Sequence, residues 1–282
     1  MGTLYIVATP IGNLNDMTKR AIETLKEVDI ILCEDTWTSL KLLNHFDIKN
    51  KLVSYHKFNE QEKTNLVIKD LKQNKNIALI SDAGTPCISD PGYILVKKAR
   101  EENINVIGIG GISAVITALS ISGLNSDKFT FQGFFPRETK DKNKLIKELE
   151  TSNINTHIFY ESPKRIIKTL EYIKENLGNI KISVSRELTK LHEKTYQGDI
   201  KEVLEKLKND EKSTLGEYTF IIEKEEKKEE QNTISIEALL IDKIIKNNIS
   251  LKEAISNLNK ENDSLSKKDI YNASLKLKTM LK

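Results

Sequence analysis

Residues 81 to 92 read Ser-Asp-Ala-Gly-Thr-Pro-Cys-Ile-Ser-Asp-Pro-Gly and follow the apolar run Asn76–Ile80. A buried strand therefore ends in a small-residue turn that carries two carboxylates, Asp82 and Asp90. Gly84 and Gly92 admit positive φ, and Pro86 and Pro91 fix φ near about −65°, so the backbone is rigid where ligands of open α/β sheets sit. The same construction recurs where Leu4–Ala8 runs into Thr9-Pro-Ile-Gly-Asn-Leu-Asn-Asp16, and where Asn105–Ile109 opens into Gly110-Gly-Ile-Ser-Ala114. Backbone N–H groups around Ser113 and Ala114, at the start of a helix, suit the oxygens of an anionic group. Another strand, ending at Cys33, releases Glu34 and Asp35 toward the same rim, either as proton acceptors or as caps for a helix starting near Thr38. One such loop is an ordinary connection; three together describe a cleft.

The elements that position these loops alternate. Strand patterns fall near 4–9, 29–34, 51–55, 76–81, 105–109 and 129–134, with helical patterns between them, as in a largely parallel α/β sheet. Phe135-Phe-Pro-Arg-Glu138 breaks the rhythm and a charged helix follows from about 141 to 150. A second α/β set then begins: strand 156–161, helix 163–177, strands 181–187 and 194–198, helix 199–208 and strand 217–223. Lys224–Glu230 is a charged run without an apolar anchor and reads as a solvated linker. Beyond it, 234–245 is amphipathic, Ser250 caps a helix over 251–258 and Ser266 caps one over 267–281.

Composition narrows the class. The chain has 282 residues, enough for two sizeable cores, and no apolar stretch approaches the roughly 20 residues needed to cross a bilayer. Met-Gly-Thr-Leu-Tyr passes straight into strand pattern without a secretory signal, which points to the cytoplasm. Cys33 and Cys87 are the only cysteines, and the four histidines are scattered, so neither a disulfide nor a metal site is expected. A net charge of +3 is too weak to announce a nucleic-acid binder. Among many lysines, arginine appears only at 20, 100, 137, 165 and 186, and Arg137, Arg165 and Arg186 sit beside the motifs. A planar bidentate donor there serves a phosphate or carboxylate partner, or a fixed salt bridge within the fold.

Ala8-Thr-Pro-Ile-Gly-Asn-Leu14, Cys33-Glu-Asp-Thr36, Ser54-Tyr-His56, Ser81–Pro86 with Ile88–Gly92, Phe159-Tyr-Glu-Ser-Pro163 and Arg186-Glu-Leu-Thr-Lys190 occur in that order. Together they resemble the signatures of the ribosomal RNA small subunit methyltransferase I family, within the tetrapyrrole methylase superfamily. The resemblance runs from about residue 3 to 225, and the tail is similar to that family's small helical domain. It implies two α/β domains of tetrapyrrole methylase type (class III) at 1–134 and 138–225, with a cofactor cleft between them and a helix-turn-helix-like domain at 233–282.

By the same resemblance, the activity is S-adenosylmethionine (SAM)-dependent 2′-O-methylation of a cytidine ribose in the decoding region of 16S rRNA. The substrate would be an assembled small ribosomal subunit and the enzyme a homodimer. Pro10, Gly12, Asp82, Gly84, Thr85, Ser113, Ala114, Tyr160 and Glu161 are then expected at the cofactor. Asn13, Asp16, Arg137, Arg165, Arg186, Glu187 and Lys190 are expected at the substrate. Methyl transfer from a sulfonium chiefly needs alignment, but a ribose hydroxyl benefits from a proton acceptor. Glu34 or Asp35 is expected in that role, with Asp16 and Glu187 in reserve. The chain departs from the family pattern at Trp37, where arginine is usual, and at Gly110 and Ile112, where proline is usual. Carbon methylation of a tetrapyrrole and a non-catalytic ribosome-binding assembly factor are the alternatives.

Overall fold

The computed structural model describes residues 1–224, 235–261 and 265–280. The expected linker lies outside them from residue 225 onward, as do 233, 234, 262–264, 281 and 282 of the expected C-terminal domain.

Five short apolar strands, β1 (Thr3–Val7), β2 (Ile30–Cys33), β3 (Leu52–Ser54), β4 (Ile77–Leu79) and β5 (Asn105–Ile109), form an all-parallel sheet in the order β3-β2-β4-β1-β5. Near-continuous hydrophobicity marks a sheet covered on both faces. Side chains alternate between two cores at the strand period. Leu4, Leu32, Ile77 and Leu79 face α3 (Glu60–Lys72) and α4 (Tyr93–Glu101), whereas Val7, Ile31, Cys33 and Ala78 face α1 (Lys19–Glu27) and α2 (Thr36–His45). Because every strand points the same way, the turns after β2, β4, β1 and β5 emerge side by side on one edge.

The second sheet is mixed, with order β6-β7-β10-β8-β9, built from β6 (Phe129–Phe134), β7 (Thr156–Glu161), β8 (Lys181–Arg186), β9 (Lys194–Asp199) and β10 (Tyr218–Glu223). One face packs on α6 (Thr139–Thr151), α7 (Ile166–Leu177) and α8 (Ile200–Lys208) around Phe159, Leu170, Val203 and Phe220. The other receives α5 (Ala114–Ile121), whose Val115, Ala118 and Leu119 join Ile158 and Ile221.

The expected boundary after residue 134 therefore does not follow the sheets. β6 pairs in parallel with β7, Phe131 in register with Ile158, because α6 is the crossover of a β-α-β unit. The first lobe is thus β1–β5 with α1–α4, and the second is β6–β10 with α5–α8.

Residues Met1–Glu225 make one compact unit and Glu226–Lys282 another. In the latter, α9 (Ile236–Asn247), α10 (Leu251–Glu261) and α11 (Lys267–Met280) enclose Leu240, Ala254, Leu258, Ile270, Ala273 and Leu277. Serines open all three helices. Ser235, Ser250 and Ser266 accept from the N–H groups of Ala238, Glu253 and Asp269, and Glu253 returns the contact to Ser250 as a capping box. No helix of the described residues is long and apolar enough to cross a membrane.

Candidate active site

A cavity of about 490 Å³ opens between the carboxyl edge of the first sheet and the second lobe. That is within the range of small-molecule sites. Ile11 from the β1 turn, Glu34 from the end of β2, Ser113 and Ala114 at the start of α5, and residues 82–85 and 88–90 after β4 form one side. Phe134, residues 160–163 at the end of β7, and Glu217, Tyr218 and Thr219 at the start of β10 form the other.

Backbone hydrogen bonds hold the turns together. Thr9 and Gly84 exchange both N–H···O bonds, at 2.8 and 3.1 Å, and Thr9 Oγ1 donates to the Ser81 carbonyl at 3.0 Å. The Asp35 N–H donates to Asp82 Oδ1 at 3.2 Å, tying the β2 exit to the β4 turn. Gly92 has φ +130°, and a Cβ there would fall 2.5 Å from Leu79 Cδ2, so a side chain is excluded twice over. Cys87 and Ser89 hold φ of +72° and +65° although neither is glycine. Such strain costs on the order of 1–3 kcal/mol per residue and tends to persist where a ligand loop requires it.

The cavity's charge is uncompensated on the first-lobe side. Burial, then the negative charges of Glu34 and Asp82, pushes the Asp90 carboxyl up to about 6. Burial followed by Asp82 also raises Glu34, and burial raises Asp82. Across the cavity, burial and the nearby Asp90 push the Tyr160 hydroxyl up to about 12, while its ring packs edge-on to Phe131 and Phe134 at 4.8 and 5.5 Å. Ser113 is the N-cap of α5 but makes no side-chain cap bond, so the first-turn N–H groups remain available at the cavity. Uncompensated carboxylates, free N–H groups and an aromatic wall together suit a ligand carrying cationic, anionic and flat apolar parts. Among the described residues no cluster of His, Cys, Asp or Glu is placed to hold a metal ion.

Of the residues expected from sequence, Glu34, Asp82, Gly84, Thr85, Ser113, Ala114, Tyr160 and Glu161 line this cavity. Pro10, Gly12, Asn13, Asp16, Asp35, Arg137, Arg165, Arg186, Glu187 and Lys190 do not. Asp35 is occupied as the N-cap of α2, accepting from the N–H groups of Trp37 and Thr38 at 2.7 and 3.1 Å. Arg165 donates to the carbonyls of Phe135 and Pro136 at 2.8 and 2.9 Å and pairs with Glu161 at 3.2 Å. Arg186 is 4% exposed and pairs with Asp210 at 3.4 Å. Both guanidiniums thus serve the fold, the plainer of their two readings.

Lys190 joins the lobes at the cavity's edge. Its ammonium lies 2.8 Å from both Glu187 and Glu217, and its stem covers Gly12 so closely that a Cβ there would fall 2.4 Å from Cγ. Asn13 accepts from the Asn15 N–H and caps a short 3-10 helix, and Arg137 is exposed in the loop after β6. Sequence reasoning missed Asp90 as a wall residue, although its turn was singled out, and missed Glu217–Thr219, whose strand start carries no distinguishing signal.

The profile of the Tetrapyrrole (Corrin/Porphyrin) Methylases matches residues 3–204, both lobes nearly to the end of α8. The chain belongs to the tetrapyrrole methylase family. Within it, this methylase is 45% identical over 275 residues to ribosomal RNA small subunit methyltransferase I of Halalkalibacterium halodurans, covering 96% of this chain and 94% of that one. It is 42% identical over 222 residues to the protein of the same name from Thermotoga maritima, covering 79% of this methylase and 98% of its relative. These identities place it in the ribosomal RNA small subunit methyltransferase I family. The crystal structure of diphthine synthase superposes at a TM-score of 0.61 with 11% identity, over 79% of this methylase and 90% of that chain, a likeness of fold alone.

Proposed function

We propose that the protein is a SAM-dependent methyltransferase that 2′-O-methylates a cytidine ribose in the decoding region of 16S rRNA, on the small ribosomal subunit. The observation that carries this reading is the cavity itself, bounded by carboxylates without cationic partners on the first-lobe side, free helix N–H groups and an aromatic wall, in a chain whose relatives over most of its length are named for ribosomal RNA methylation. Such a protein works in the cytoplasm, as a homodimer, with the two lobes as one catalytic unit and residues 233–282 as an appended RNA-binding domain. The 222 residues shared with the Thermotoga relative, nearly its whole length, are close in number to Met1–Glu225 and support placing catalysis there.

The residues fit the cofactor. When bound, SAM supplies an electrophilic methyl on a positively charged sulfur. Ser113 and Ala114 N–H groups hold its carboxylate, Asp82 and Asp90 face its cationic groups, and Gly84 and Thr85 let the backbone approach closely. Tyr160 closes the opposite side and Glu161 fixes that wall, while Pro10 and Gly12 shape the turn behind Ile11. Asn13, Asp16, Arg137, Glu187 and Lys190 border the route of the RNA, and Arg165 and Arg186 act by positioning. Glu34 accepts the proton of the ribose hydroxyl: it lines the cavity with its basicity raised, whereas Asp35 is spent on capping α2. Histidine and lysine, the other common bases, are absent from the lining.

The deciding experiment incubates the protein with labelled SAM and small subunits from a strain lacking the modification, with porphyrinoid precursors in parallel. Label in 2′-O-methylcytidine is expected. Label in a porphyrinoid overturns the substrate, and no binding of SAM or S-adenosylhomocysteine by calorimetry overturns the enzyme.

A further inference from the structure

β3, β2 and β4 are parallel neighbours, so the chain leaves all three on the edge that borders the cavity. Each exit carries an outward ring at or just before the next helix: Trp37 is 71% exposed, Phe58 95% and Tyr93 66%. Rings of this size normally bury most of their surface. Trp37 lies three residues beyond the wall residue Glu34, and Tyr93 three beyond the wall residue Asp90. Phe58 is joined to them through Glu60, whose Oε2 accepts from the Gly92 N–H at 3.3 Å. Ile88, a cavity residue that is itself half exposed, continues the apolar surface outward.

Each ring also has a lysine beside it. Lys41 and Lys97 stand one helical turn beyond Trp37 and Tyr93, and Lys57 precedes Phe58. None of these three lysines makes an ion pair among the described residues. The carboxylates of this edge are held on the inner side or engaged locally: Glu34, Asp82 and Asp90 line the cavity, Asp35 caps α2 and Glu60 accepts from Gly92, with Glu62 on α3. The cavity is therefore acidic, and its outer rim carries exposed rings each with a lysine beside it.

We propose that this rim is a stacking surface for the unpaired nucleobases that flank the target nucleotide, with Lys41, Lys57 and Lys97 at their phosphates. The inference rests on the rRNA reading above. A ribose reaches a closed cavity only if its nucleotide leaves the helical stack, which strips stacking partners from the adjacent bases. Exposed rings restore them without reading sequence, and interleaved cations follow the backbone. An interface with a second copy of this chain is the competing use, since protein interfaces are rich in aromatic residues, but they are poor in lysine, which stands beside each ring here.

Trp37 is the sole tryptophan, so the intrinsic fluorescence of the full chain reports on the rim directly. Titration with an unstructured oligoribonucleotide, and with unmodified small subunits, is expected to quench it saturably. Trp37→Ala, Phe58→Ala and Tyr93→Ala are each expected to raise the KM for subunits about 10-fold with kcat nearly unchanged, the usual scale of losing one base–ring stack. Trp37→Phe restores most of the loss, and Lys57→Ala lowers the salt slope of binding by about one. An active wild type with no quenching and unchanged KM in all three ring variants overturns the proposal. So does conversion of a dimer to a monomer by Trp37→Ala in light scattering, which assigns the rim to a second copy. A wild type that methylates no subunit defeats the rRNA reading instead, and the oligoribonucleotide titration still decides the rim.

Discussion

Asp90 and Glu161 face the same cavity from opposite lobes, and their surroundings differ completely. Glu161 is buried with a donor at every turn: the Thr169 hydroxyl at 2.6 Å, the Ser162 N–H at 2.7 Å and Arg165 at 3.2 Å. Asp90 faces two further carboxylates, Glu34 and Asp82. The second lobe repeats its pattern at Asp210, where Tyr196 and Lys194 hold the carboxyl well below its ordinary range with Arg186 alongside. Matched charge in the second lobe builds the fold, whereas unmatched charge in the first lobe is left for a ligand. A carboxylate without a cation costs stability, and function sites are where that cost is tolerated.

The sharpest way to break this contrast is to substitute one residue from each class. Glu34→Gln is expected to lower kcat for subunit methylation by about 10² to 10⁴-fold without lowering the melting temperature, as the loss of a proton acceptor does. Turnover within a few-fold of wild type would remove Glu34 from the chemistry. Arg186→Ala is expected to do the reverse, destabilising the protein by about 2 kcal/mol in denaturant titrations because a buried side chain and its pair with Asp210 are lost while Tyr196 and Lys194 still hold that carboxyl, with SAM affinity retained below the transition.

Acid sharpens the comparison from the second lobe's side. Burial, then Lys224, pushes His157 down to about 4, with Nδ1 bonded to Thr130 Oγ1 at 2.6 Å and Nε2 buried without a partner. The unfolded chain binds this proton first, so stability is complete above pH of about 6.5 and falls as pH drops toward 4, by at most about 3 kcal/mol. His157→Gln should flatten that limb in pH-dependent unfolding.

Asp90 has the opposite sign. Its folded carboxyl holds the proton up to about 6, so the native state loses stability as pH rises from the ordinary carboxylate range through 6. Asp90→Asn is expected to gain about 1 kcal/mol at pH 7.5, after discounting for solvent, while weakening SAM binding. The smallest effect belongs to Asp35→Ala, about 1 kcal/mol lost with the cap of α2 and little change in kcat. A large fall in kcat with the fold intact would move Asp35 from cap to catalyst.

Hydrophobic period and turn chemistry made most elements legible. Residues 105–109 and 129–134 were placed as strands to the residue, and Ser250 and Ser266 cap the helices expected of them. Which sheet a strand joins was not legible: β6 carries the same alternation whether it pairs with β5 or β7, and only the crossover by α6 settles it. At the site, the motif turns located Asp82, Gly84, Thr85 and Ser113 because glycine, proline and cap residues act locally. Arg165 and Arg186 were ambiguous because a guanidinium inside a fold and one on a phosphate have the same one-dimensional signature.

By itself the sequence determined that strands would end in rigid turns, that those turns would share an edge, and which family the chain resembles. The turns act through residues close together along the chain, the shared edge follows from the strand–helix alternation, and the resemblance rests on motifs that keep their order from residue 8 to residue 190. Only the tertiary structure decided that Asp90 stands in the wall with Glu34, that Glu217–Thr219 close the far side, and that Trp37, Phe58 and Tyr93 are left exposed after three neighbouring strands. Those juxtapositions join segments separated by tens of residues, and whether a charge is matched or unmatched depends on the neighbours that packing brings.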